Sequence, residues 1–203
     1  MKFKDLNLKK IYPYILVICG TIGLVASLVL SHDTLAVAQN SHYVPSCNLN
    51  PIISCGNVIN APGDKILGLP YPYYGIGVFA VLIGSGAGIL AGAKYKKWYW
   101  LTFQTMMTLG TIGAYFLLLK SIFKIHSLCP FCLSVDVATN ILFWYTSLYV
   151  IDTGIIVIKN KKFKNIYNWA RKHHLDLLIL WFVIVIAFIL NHFWYYYGQH
   201  IHF

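Results

Sequence analysis

The sequence predicts an all-α integral membrane protein: a four-helix transmembrane bundle with a fifth, peripheral transmembrane helix. Three observations carry this expectation. The chain is 58% hydrophobic and only 11% charged over 203 residues, and it contains no glutamate, a composition unsuited to a soluble domain of this length. Five apolar stretches reach the roughly 20 residues that a hydrocarbon core requires. The Lys and Arg residues gather in short clusters between those stretches and form no periodic basic face. A net charge of +10 therefore does not point to nucleic acid as a partner.

Residues 11–31 form the first span and carry no charge. Ala36-Val37-Ala38 resembles a signal cleavage site, but the preceding apolar run exceeds the 7–15 residues of a signal core. The segment 32–72 is the single long connection, where function is expected. Inside it, Asn50-Pro51 reads as an N-cap with proline in the first turn, predicting a short helix to about Ile59. Ile52, Cys55 and Ile59 then share one face, which turns Cys55 toward the bundle, while Cys47 precedes the helix and faces solvent. The second span, 73–93, carries Gly84, Gly88 and Gly92 at four-residue spacing, a pattern that reads as close helix packing. The third, 98–119, begins with the interfacial aromatics Trp98-Tyr99-Trp100. The fourth, 131–151, holds one charge, Asp136. The fifth, 177–197, holds only His192 and ends in a run of aromatics. No internal repeat interrupts this pattern, so residues 1–203 read as a single membrane domain.

With the N-terminus inside, the outer side keeps only Lys65, Lys120 and Lys124 among the 16 basic residues. That asymmetry fixes orientation and puts Cys47, Cys55, Cys129 and Cys132 on one outer face, where disulfides persist. Cys129-Pro130-Phe131-Cys132 opens the fourth span. A disulfide in so small a ring constrains the unfolded chain weakly and is easily reduced, which suits a redox couple better than a staple. At a helix start, backbone N–H groups and the helix dipole favour the Cys129 thiolate, the attacking species. Cys132 lies about 4.5 Å deeper, at about 1.5 Å of rise per residue, within reach of a lipid-soluble reactant. The depths order a relay from Cys47 through Cys55 and Cys129 to Cys132. Two inert disulfides are the structural alternative. A four-thiolate zinc site suits an oxidising face poorly, so no metal is expected. Leu133 after Cys132 argues against a c-type haem. Cys19, alone in mid-span, reads as a packing residue. His200 and His202 read as a solvated tail. Asp136 shares a helix face with Cys132, and a carboxyl inside a span is a functional candidate: a proton donor or hydrogen-bond partner, or else a packed neutral acid.

These residues resemble the vitamin K epoxide reductase family in its bacterial five-helix form. The resemblance rests on Cys47 and Cys55 eight apart in the first outer loop, on Ser54-Cys55-Gly56-Asn57-Val58, on Leu67-Gly68-Leu69-Pro70 leading to Gly75, and on Cys129-Pro130-Phe131-Cys132, over roughly residues 11–151. The disulfide generators of the DsbB type carry their two cysteine pairs in the opposite order. The resemblance implies a four-helix bundle around a quinone, ubiquinone or menaquinone, with Cys132 against it. It implies exchange between Cys129 and Cys55, and contact of Cys47 with a separate thioredoxin-fold, DsbA-like partner that introduces disulfides into secreted proteins. A bacterial plasma membrane follows from the same likeness. Asp136 and Tyr71 take the positions of a tyrosine and an asparagine near the quinone in vertebrate members, and Ala61 replaces a serine. Quinone preference and inhibitor sensitivity therefore do not carry over. The function expected is thiol:quinone oxidoreduction. The alternatives are reduction of vitamin K epoxide or quinone for its own sake, or a transporter or scaffold braced by disulfides.

Overall fold

The computed structural model describes residues 8–40, 42–61, 65–66, 68–156 and 160–200, with side chains for all of these except 65–66 and 195–200. Lys2, Lys4, Lys159 and His202, and the side chain of His200, lie outside the described residues. Ten elements follow one another. They are α1 (Leu8–Gln39), α2 (Cys55–Ile59), β1 (Lys65–Ile66), β2 (Leu69–Pro70), α3 (Tyr71–Leu90), α4 (Lys97–Lys120), a π-helical turn (Ser121–Ile125), α5 (Pro130–Asp152), α6 (Lys161–Lys172) and α7 (His174–His200). Five of these helices are long and apolar enough to cross a membrane. Two compact units divide the chain, one ending at Ile155 and the other beginning at Ile156.

Within the first unit, α1 packs against α3 and α5, and α5 packs against α4. The α1–α3 contact is built from small residues. A Cβ on Gly23 would overlap the Phe79 ring, one on Gly75 would overlap Ser27 Oγ, and one on Gly86 would stand 2.9 Å from Leu16 Cβ and the Pro13 carbonyl. Close backbone approach is how helices associate in lipid, where burying apolar surface gains nothing. The predicted packing residues differ in part: Gly84 and Gly92 have nothing within 4 Å of a Cβ position, while Gly88 is closely packed, a Cβ there overlapping the Tyr95 hydroxyl of the following connection. Glycine spacing in one helix does not say which face meets a partner. Toward the start of α1, the Tyr12 ring stacks on Tyr149 at 4.3 Å and lies 5.9 Å from Trp100, while its hydroxyl pairs with Thr146 Oγ1 at 2.9 Å. That aromatic cluster fills the end of the bundle opposite the cysteines.

Two local expectations are corrected. Helix α1 runs eight residues beyond the predicted span end, to Gln39, because no glycine or proline intervenes and Thr34 Oγ1 bonds the Leu30 carbonyl inside the helix. Polarity ends a membrane span without ending a helix. The loop helix begins at Cys55 instead of after Asn50. Asn50 Oδ1 accepts from the N–H groups of Ile52 and Ile53, and Ile53 forms a parallel bridge with Leu128, which keeps this stretch extended. Ser54 is the N-cap, accepting from Asn57 N–H at 3.2 Å.

Candidate redox site

The long loop is tied to the connection ahead of α5. Ser54 N–H donates to the Leu128 carbonyl at 3.0 Å, and Leu128 N–H donates to the Ile52 carbonyl at 2.6 Å. Asn57 Nδ2 donates to Ser127 Oγ at 2.9 Å, and Ser127 Oγ donates to the Pro51 carbonyl at 3.0 Å. The π-helical turn ends at His126, whose φ of 55° turns the chain back, and Ser121 Oγ bonds the Ser127 carbonyl. This lacing sets the start of α2 beside the start of α5.

Four sulfurs meet at that junction. Cys47 and Cys55 are joined by a disulfide, and Cys129 and Cys132 are free thiols. Cys129 Sγ lies 3.0 Å from Cys55 Sγ. Cys47, Cys55 and Cys129 pack with Leu30 of α1 in one cluster, and Cys132 and Phe131 pack against it. Cys55 is fully buried, as expected from its face. Cys47 is not the solvent-facing cysteine expected: it is only 7% exposed, because the disulfide and the turn at Asn48 fold it onto the bundle end. Asn48 Oδ1 makes that turn by accepting from Ser54 Oγ at 3.0 Å and from Gly56 N–H at 2.9 Å. A Cβ on Gly56 would come 2.8 Å from Asn48 Nδ2, so a larger residue there would push on the Asn48 amide.

Cys129 is the N-cap of α5, with Pro130 in the first helical position, as the sequence predicts. Its sulfur accepts from the Cys132 N–H at 3.4 Å. The Cys132 thiol, above all, holds the Cys129 pKa below that of an ordinary thiol. Burial opposes this, and the N–H groups of Cys132 and Phe131 reinforce it.

Cys129 and Cys132 also border a cavity of about 740 Å³. Its walls are mostly apolar and come from α1, α3, α4 and α5, with Val58 and Ile59 of α2 and Ile125 of the π-helical turn. Asp136, one turn from Cys132, lies in the wall, and so does Tyr71 at the start of α3. Cys47 and Cys55 do not border it. All six residues singled out in the sequence thus fall at one end of the bundle: the loop pair outside the cavity, Cys129 between, and Cys132, Asp136 and Tyr71 on its wall.

The family model described as vitamin K epoxide reductase family matches residues 14–147, which include all six. The chain belongs to the vitamin K epoxide reductase family. No curated protein matches it beyond that. Membership makes this multi-pass membrane protein an oxidoreductase of the cysteine-based, quinone-related class. The cavity fits a quinone of this family. It is large, apolar and adjacent to a free thiol, and it offers a carboxyl and a phenol as polar groups.

Sequence reasoning missed Asp33. It is 3% exposed, its Oδ1 accepts from Tyr43 Oη at 3.0 Å, and its Oδ2 has no hydrogen-bond partner among the described residues. That hydrogen bond raises the pKa of the Tyr43 phenol. Asp33 sits just past the expected end of the first span, where a charge reads as the start of a loop. The signal was a lone acid two residues beyond an apolar run. Asn48 and Ser127 were also missed: the partners of Ser127 are remote in sequence, and the bonds of Asn48 to Ser54 and Gly56 follow no regular period.

Proposed function

We propose that this protein is a thiol:quinone oxidoreductase that reoxidises a thioredoxin-fold, DsbA-like partner and thereby supports disulfide formation. The observation that carries the reading is the 3.0 Å approach of Cys129 Sγ to Cys55 Sγ, which couples the two cysteine pairs.

The partner's thiolate attacks Cys47, forming a mixed disulfide and releasing the Cys55 thiolate. The partner's second thiol resolves that bond, leaving the partner oxidised and both loop cysteines reduced. The Cys55 thiolate then attacks Cys129 of a Cys129–Cys132 disulfide, forming the Cys55–Cys129 bond and releasing the Cys132 thiolate. Cys47 attacks Cys55, re-forms the loop disulfide and frees Cys129. One electron pair has then moved to the Cys129/Cys132 dithiol. This is the redox state of the structure, with the loop pair joined and the second pair free. A bound ubiquinone or menaquinone supplies a two-electron, two-proton acceptor. Cys132 faces it, Asp136 holds a proton or a hydrogen bond for it, and Tyr71 lines its entry. Exchange itself is reversible, and net direction follows the potentials, about 30 mV for each tenfold in equilibrium constant. The basic inner loops support a cytoplasmic N-terminus in a bacterial plasma membrane, with the cysteines on the outer face.

The test uses purified protein in lipid with a reduced thioredoxin-fold substrate and a quinone. Wild-type chain oxidises the substrate and reduces one quinone per disulfide formed, and Cys132→Ala does neither catalytically. Quinone reduction surviving in Cys132→Ala would sink the reading.

A further inference from the structure

Helix α6, Lys161–Lys172, differs from the other helices among the described residues. Phe163, Ile166, Tyr167 and Ala170 fall at i, i+3, i+4 and i+7 and share one face, with Trp169 at its edge. Lys161, Lys164, Asn165, Asn168, Arg171 and Lys172 occupy the other face. None of its residues is buried. Phe163 is 61% exposed, Ile166 60% and Trp169 56%. Three large apolar side chains bared on one 12-residue helix mark a surface that meets something other than water. A helix of that length is too short to span a bilayer.

Its attachment and charge say what covers it. Asn160 caps its start, accepting from Lys162 N–H at 3.0 Å, so the helix is a defined element. Its other end is one residue, His173, from α7, which is long and apolar enough to cross a membrane. Trp169 reaches that joint, its ring 5.4 Å from the His173 ring. A helix hinged by one residue to a membrane span stands at the membrane boundary. It carries five Lys and Arg residues and no Asp or Glu. That is the composition of a helix lying flat on an anionic lipid surface.

We propose that α6 is an in-plane membrane-binding helix. Phe163, Ile166 and Trp169 enter the acyl boundary, and the basic face binds anionic phospholipid headgroups. Lys162, beside the apolar edge, extends its ammonium to the headgroups along its methylene stem. The helix pins the start of α7 at the interface. This inference stands apart from the redox reading, because no cysteine takes part in it.

The test is amide hydrogen exchange on the full chain in nanodiscs of phosphatidylcholine alone, and of phosphatidylcholine mixed with phosphatidylglycerol. Exchange over 161–172 is expected to be about tenfold slower in the anionic discs, the difference vanishing near 1 M salt, where screening is short-ranged. Replacing Lys161, Lys162, Lys164, Arg171 and Lys172 with Gln removes the lipid dependence. Phe163→Ser with Ile166→Ser removes protection in both lipids, while exchange in α7 and quinone turnover report that each variant is folded. Equal exchange of wild-type α6 in the two lipids, extra protection in the anionic discs persisting in the Gln variant, or protection that requires an added protein would each overturn the proposal.

Discussion

Cys129 Sγ stands 3.0 Å from Cys55 Sγ across 74 residues of sequence, and the hydrogen bonds between the loop and the residues before α5 hold it there. In Cys132→Ser, Cys129 attacks Cys55 of the loop disulfide and frees Cys47, and alkylating Cys47 leaves no thiol to reverse the step. A Cys55–Cys129 cross-link should accumulate, detected as linked peptides after proteolysis without reductant, with turnover down at least about 10³-fold, the scale of losing a covalent nucleophile. The same cross-link should form in Cys47→Ala, where Cys55 attacks Cys129 of a Cys129–Cys132 disulfide, only Cys132 can reverse the step, and alkylating Cys132 traps the product. Cross-links between Cys47 and Cys129 instead would contradict the geometry.

The lowered pKa of Cys129 makes it a good leaving group when Cys47 re-forms the loop disulfide. Because the Cys132 thiol, foremost, stabilises the thiolate, Cys129 stays ionised at pH values where an ordinary thiol is protonated. Without Cys132 the main donor is gone and the titration of Cys129 moves to higher pH. The check is thiolate ultraviolet absorbance in a chain keeping only Cys129 and Cys132, against one keeping only Cys129. The single-cysteine chain should titrate at higher pH.

Asn48 connects the residue after one loop cysteine to the residue after the other. Asn48→Ala strips the buried Gly56 N–H of its acceptor, which costs about 1–3 kcal/mol. Hydrogen exchange at Gly56 and Ser54 should accelerate, and single-turnover transfer from the loop pair to Cys129 should slow by about tenfold or more. Binding of quinone, remote from Asn48, should not change.

The helices were legible because a membrane span writes itself into the chain as an unbroken apolar run, and runs that begin near Tyr71, Lys97 and Pro130 leave little freedom. The cysteines were legible because residue type and depth decide their chemistry. The loop was not. Asn50-Pro51 carries a sound local helix-start signal, yet the Ile52 carbonyl and the Ser54 N–H are spent on Leu128, a partner about 75 residues away that no local pattern reveals. The burial of Cys47 was hidden for a different reason: it depends on Asn48 reaching Ser54 and Gly56, six and eight residues on, a side-chain turn that no helix or strand period marks.

Helix packing makes a paired stability test. Gly23→Ala forces a methyl into the Phe79 ring and should cost about 1–3 kcal/mol, the range for overpacking. Gly84→Ala meets nothing and should be neutral, or stabilising by up to about 1 kcal/mol through helix propensity. Thermal unfolding in one detergent ranks the two. The reverse ranking would restore the four-residue glycine pattern of α3 as the packing face.

The cavity separates thiol exchange from quinone reduction. Asp136 borders it one turn from Cys132, and Gly113 of α4 borders it with nothing within 4 Å of a Cβ position. Asp136→Asn keeps the size of the side chain and removes the transferable proton. Quinone turnover should fall about 10²-fold, in line with loss of a general acid, while single-turnover exchange between Cys55 and Cys129 is unchanged. Gly113→Phe should act on binding: a ring occupying the cavity raises the KM for quinone by about tenfold or more and leaves the exchange step alone. If both substitutions slowed exchange equally with turnover, the cavity would be serving the disulfide junction and not a separate acceptor.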